Sequence, residues 1–138
     1  MNRRIQVSFK CDVLTIGFAR RATLYKRADL LFFDPGQLVD IAATVGPIQL
    51  IFAGKAHPKD GPGKELIRRV FQFARQLKGR VTIVYLENYD MELGKLLTSG
   101  VDLWLNTPLR PLEASGTSGM KAAHNGVPSF SILDGWWI

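Results

Sequence analysis

The chain has 138 residues, of which 46% are hydrophobic and 22% charged, and its net charge is +6. That suffices for one domain with a core, and its longest apolar runs, such as Leu30 to Phe33, fall far short of a membrane span. The basic balance points to anionic partners, either nucleic acid or small phosphorylated ligands, and the single cysteine, Cys11, excludes an intramolecular disulfide and fits a reducing cytoplasm.

Taken in chain order, the N-terminal stretch MNRRIQVSFKCDV has no long apolar run followed by small residues, so no secretory signal is expected. Asp12 to Phe18 (DVLTIGF) is a short β-branched apolar run and predicts a buried strand. The next stretch, ARRATLYKRADLLFF, has apolar and basic residues at helical spacing. Pro47 to Gly54 predicts a second strand, followed by a Pro/Gly-rich loop, KAHPKDGPG. Over Lys64 to Leu77, Leu66, Ile67, Val70, Phe71, Ala74 and Leu77 recur at i, i+3 and i+4, which predicts an amphipathic helix stopped by Gly79. Val81 to Leu86 predicts a third strand, Met91 to Leu97 a short helix closed by Gly100, Val101 to Leu105 a fourth strand, and Val127 to Leu133 a fifth.

Strands alternating with helices predict an α/β fold, a parallel sheet with helices on both faces, in one domain over residues 1–138. Ligands of such sheets bind beyond the carboxyl ends of the strands. The loops expected on that edge carry Arg20, Arg21 and Lys26; Lys55 and His57; Glu87, Asn88 and Tyr89; and Asn106 through Lys121. Polar loops lie there in any α/β domain, so the residues themselves must carry the argument.

The stretch EASGTSGMK, Glu113 to Lys121, is the most distinctive. Gly116 and Gly119 let a ligand approach the backbone, and Ser115, Thr117 and Ser118 add hydroxyls. Met120 to Gly126 predicts a short helix whose start would form an anion site. A plain capping loop fits the same residues, and neither the P-loop nor the G-x-G-x-x-G spacing is present. Lys121, placed in the first turns of that helix, would oppose its dipole, which favours a neutral amine able to form a Schiff base. A solvated surface lysine is the plainer alternative. Arg21 and Lys26, five residues apart, can grip phosphate as a fork and a point charge. Because the basic residues fall at a loop junction with few aromatics, nucleic acid is not the expected partner, and with apolar runs this short neither is a membrane. Glu113 would suit neutral sugar hydroxyls, and a helix-capping or surface glutamate is its alternative. His57 and His124 have no partners at ligand spacing, so no metal is expected.

Together, IGFARRATLYKRADLLF, FAGKAHPKDGPGKELI, VYLENYDMELGKLL and DLWLNTPLRPLEASGTSGMKAAHNGVPSFSILDGWW resemble the glycogen/α-glucan phosphorylases, in the shorter prokaryotic-type branch. The resemblance runs from about Asp12 to Trp137 and is most specific in EASGTSGMKAAHNG. It implies part of the C-terminal Rossmann-like domain of a GT-B glycosyltransferase, either excised or truncated, with the N-terminal domain as its missing partner and homo-oligomers in the family. It implies pyridoxal 5′-phosphate as a Schiff base on Lys121, cradled by Gly116, Thr117 and Ser118, with Arg20 near the cofactor phosphate and Tyr89 lining its pocket. Arg21 and Lys26 match the catalytic residues that bind the substrate phosphate. Glu113, with Ser115 and Gly116, matches the group that binds the glucose of an α-1,4-glucan or glucose 1-phosphate. The implied reaction is retaining phosphorolysis in the cytoplasm, with little activity from this chain alone. Arg20 stands where many members have lysine, Asp90 where long-branch members have arginine, and Ser118-Gly119 where those members have Gly-Asn. Two other readings remain open: a glycogen synthase-like nucleotide-sugar glucosyltransferase, which tends to carry glutamate where Lys121 stands, and a non-enzymatic glucan- or phosphate-binding module.

Overall fold

All five apolar runs become strands in the computed structural model, which describes residues 8–138. They are β1 Leu14–Ala19, β2 Ile48–Ala53, β3 Thr82–Leu86, β4 Leu103–Asn106 and β5 Ser129–Ser131. All pair in parallel, in the order β3-β2-β1-β4-β5. The chain builds outward from β1 through β2 to β3, then returns to the other side of β1 with β4. The order therefore reverses between β1 and β4, and a crevice at the carboxyl ends of those strands is where such a sheet binds ligands.

Four helices cover the sheet: α1 Pro35–Thr44, α2 Gly61–Gln76, α3 Met91–Gly100 and α4 Thr117–His124. Successive strand residues face opposite sides, and both sides are apolar here. Leu50 and Phe52 of β2 join Phe18, Leu38 of α1, and Leu66 and Val70 of α2 in one buried cluster. Ile51 and Ala53 join Trp104, Leu97 of α3 and Ala122 of α4 in a second. Helices thus lie on both faces, as the alternating pattern predicts, in a Rossmann-like arrangement.

Three helix starts share one device. Asp34, Asp60 and Asp90 accept the N–H of Gln37 at 2.9 Å, Gly63 at 2.8 Å and Leu93 at 2.8 Å, satisfying N–H groups the helix leaves unpaired. Capped by Asp60, α2 begins at Gly61, three residues before the Lys64 start that the apolar periodicity suggests.

The stretch Arg20 to Phe33 does not form the helix its spacing suggests. It folds as two 3-10 turns, Leu24–Lys26 and Leu30–Phe32, and the helix of this crossover is α1. Tertiary hydrogen bonds outcompete a helical ladder here. Arg20 N–H donates to Ala53 O at 3.2 Å, Ala22 N–H donates to Lys55 O at 3.1 Å, and Arg27 adopts φ 49°. Arg20 and Lys26 are drawn inward, each only 8% exposed.

Candidate active site

Arg20 extends β1 by one hydrogen bond beyond its last residue and points a buried guanidinium at the carboxyl end of β4. Its Nη1 donates to Asn106 Oδ1, the last residue of β4, and its Nη2 donates to Glu113 Oε2. Lys26 Nζ donates to the same Glu113 oxygen at 2.5 Å. Arg20, Lys26 and Glu113 are all at least nine-tenths buried. Two cations therefore share one carboxylate, which leaves the cluster with a surplus positive charge at the sheet's switch point. Lys26 also stands 4.6 Å from the centre of the Tyr25 ring, a favourable cation–π distance.

Lys26 is held by a brace between its own turn and the segment after β4. Thr107 Oγ1 donates to Lys26 O at 3.0 Å, Arg27 Nε donates to Thr107 O at 2.9 Å, and Leu109 N–H donates to Tyr25 O at 2.7 Å. Glu113 is fixed from the other side, its N–H donating to the buried carboxylate of Asp134 at 3.0 Å. Asn106 is satisfied at both ends, since its Nδ2 donates to Ser131 Oγ at 3.0 Å.

Lys121 lies elsewhere, in a cleft of about 710 Å³ between α3 and α4 that is also lined by Tyr89, Asp90, Ser118 and His124. The cleft and the charge cluster meet at Gly116, which caps α4 and where an added Cβ would lie 3.6 Å from Glu113 Cγ. Burial pushes the Tyr89 phenol above its ordinary pKa, and the Arg20 guanidinium pulls it partly back. The Ser118 hydroxyl is buried without a hydrogen-bond partner, an exception among buried polar groups that a ligand would resolve. Gly116, at φ 85°, precedes the first turn of α4. That helix begins at Thr117, three residues before the position the sequence suggests. Lys121 consequently stands in its last turn, where the dipole favours a cation, so the dipole gives no reason for a neutral amine.

The structure thus brings Arg20, Lys26 and Glu113 together, and gathers Tyr89, Ser118 and Lys121 in the neighbouring cleft. Ser115, Gly116 and Thr117 connect the two. Arg21 is exposed and stands outside the buried cluster, because its neighbour Arg20 takes the inward position. Asn106, Thr107 and Asp134 escape a motif-based reading. The usable signal is a polar residue closing a buried strand (WLN) and an acid between apolar and glycine residues (LDG). Among the described residues, no group of three or more His, Cys, Asp or Glu gathers as a metal centre would need, and no helix is long and apolar enough to cross a membrane.

Residues 25–138 match the carbohydrate phosphorylase family. The chain is 56% identical over 128 residues to the glycogen phosphorylase of Aquifex aeolicus and 53% identical over 134 residues to that of Mycobacterium tuberculosis. It is 49% identical over 128 residues to the maltodextrin phosphorylase of Thermococcus litoralis. These matches cover 92%, 96% and 92% of this chain but only 18%, 16% and 15% of the relatives' own length. On sequence match and fold together, the chain belongs to the carbohydrate phosphorylase family.

Proposed function

We propose that the chain is the cofactor- and phosphate-binding part of an α-1,4-glucan phosphorylase, a glycosyltransferase that releases glucose 1-phosphate with retained configuration. The observation that carries this reading is the buried Arg20–Glu113–Lys26 cluster beside the Lys121 cleft. One surplus cation there suits an anion, and the neighbouring cleft ends in an amine.

Pyridoxal 5′-phosphate fits the residues present. Lys121 would hold its aldehyde, Tyr89 would line its ring, and Gly116, Thr117, Ser118 and Arg20 would take its phosphate. The unpartnered Ser118 hydroxyl is what such a phosphate would satisfy. When bound, the group supplies a phosphate that can give and take a proton next to the substrate phosphate. The chain's own residues do the rest. Lys26, with exposed Arg21 at the rim, would bind the substrate phosphate and offset its charge. Glu113 spends Oε2 on the two cations and would offer Oε1 to sugar hydroxyls, joined by Ser115 and Gly116. Residues 1–138 would form one domain, part of a C-terminal Rossmann-like domain. The opposite face of the glucan site would come from another domain, so this chain alone would turn over little substrate. We assign it to the cytoplasm.

The test is covalent. Incubation with pyridoxal 5′-phosphate followed by borohydride reduction is expected to place the adduct on Lys121. The Lys121→Ala chain should lose that labelled peptide while keeping its circular dichroism spectrum. Lys121 is itself exposed, so labelling spread evenly over it and the other exposed lysines would defeat the cofactor assignment.

A further inference from the structure

Asp134 is a buried acid that touches the charge cluster only through the Glu113 main chain. It is 4% exposed, and among the described residues it forms no ion pair. A carboxylate buried without a cation is costly unless it is well hydrogen-bonded. Its side chain accepts one N–H, that of Glu113, at 3.0 Å.

The residues after it close on the same loop. Trp136 N–H donates to Ser115 O at 2.9 Å. Gly135, at φ 63°, packs so closely that a Cβ there would lie 2.5 Å from Ser115 O and 3.0 Å from Glu113 Cγ. The Trp136 indole lies against Gly116 and Gly119. Residues 134–136 thus clamp the chain at Glu113, Ser115 and Gly116. The segment from Thr107 to Gly116 has no strand or helix of its own to hold it, so its register depends on such ties.

We propose that Asp134 is the positioning residue of this site: by holding the Glu113 main chain it sets the carboxylate that orders Arg20 and Lys26. The inference rests on the reading of those residues as the phosphate site only for its functional consequence; the positioning itself is tested separately.

The first arm is nuclear magnetic resonance on the 138-residue chain. In the wild type, the Glu113 amide should exchange about tenfold or more slowly than the Ala114 amide, which has no such partner. The Arg20 guanidinium protons should give separate, slowly rotating signals. Asp134→Ala should abolish both signatures. Asp134→Asn keeps an oxygen acceptor and should retain both. An Asp134→Ala chain that loses stability yet keeps the Arg20 and Glu113 signals would overturn the proposal. If Asp134→Ala does not fold, the wild-type comparison decides: equal exchange at Glu113 and Ala114 overturns it as well.

The second arm is calorimetric titration with inorganic phosphate. Affinity should fall about tenfold in Asp134→Ala and by less than about twofold in Asp134→Asn, a loss on the scale of one hydrogen bond to a charged group. Signals that collapse without any change in phosphate affinity would overturn the functional consequence. A wild-type chain that binds no phosphate would instead defeat the phosphate-site reading, with the first arm still judging Asp134.

Discussion

Glu113→Ala is expected to destabilise the chain by about 3–5 kcal/mol, the range seen when one partner of a buried ion pair is removed. The reason lies in the arithmetic of the cluster. Arg20 and Lys26 share a single carboxylate oxygen, and both cations are buried. Removing it strands two positive charges side by side rather than one, in a place with little water. A urea titration reads this directly as a lower midpoint at unchanged slope. Glu113→Gln should recover part of the loss, because the amide oxygen still accepts a hydrogen bond although its charge is gone. A loss below about 1 kcal/mol for the alanine variant would place the pair among solvent-exposed bridges and contradict the burial described above.

A methyl group at Gly54 should cost as much, about 3–5 kcal/mol, which is the exceptional end of single substitutions. Gly54 directly follows β2 at φ +140°, and a Cβ there would stand 1.9 Å from the backbone oxygen of Arg20 and 3.0 Å from its carbonyl carbon. Backbone atoms cannot swing aside as a side-chain tip can. Gly46 provides the control. It has a similar φ, +151°, with nothing within 4 Å of the added carbon, so Gly46→Ala isolates the conformational strain, about 1–3 kcal/mol. The difference between the two variants measures the clash alone. Since relief of that clash must move Arg20, Gly54→Ala should also weaken phosphate binding. Equal losses at the two glycines would mean that the strand end relaxes freely, and the close packing of Gly54 on Arg20 would then have no energetic weight. Tyr85 is tied to the same point, its hydroxyl donating to Gly54 O at 3.0 Å, and burial pushes that phenol up to about 12.

Much of the fold was legible because the central strands are short apolar runs: β2 is buried along its whole length and β1 and β4 along their carboxyl-terminal halves, as in a sheet covered on both faces. What was missed or misread followed from local signals that point two ways. The helix α1 was not predicted at all, although Asp34 caps it and Pro35 opens it. Apolar and basic residues at helical spacing between Arg20 and Phe33 belong instead to irregular chain, because their partners lie on other segments. The site divides in the same way. EASGTSGMK is contiguous, so its candidates could be named from order alone. That Glu113 would face Arg20 and Lys26 could not be read from order, since the contact joins residues far apart in sequence. Arg20 and Arg21 are indistinguishable as letters; a single further step along the strand decides which one is buried.

The distance along the chain has a consequence for how the protein is made. Arg20 and Lys26 precede Glu113 by 93 and 87 residues. A ribosome working from the N-terminus therefore releases both cations well before the carboxylate that neutralises them exists. Until then, burying the loop between β1 and the first 3-10 turn would mean burying unpaired charge. The nascent chain must keep that loop in water while β1, β2 and β3 assemble, and it can close only when the last quarter of the sequence arrives.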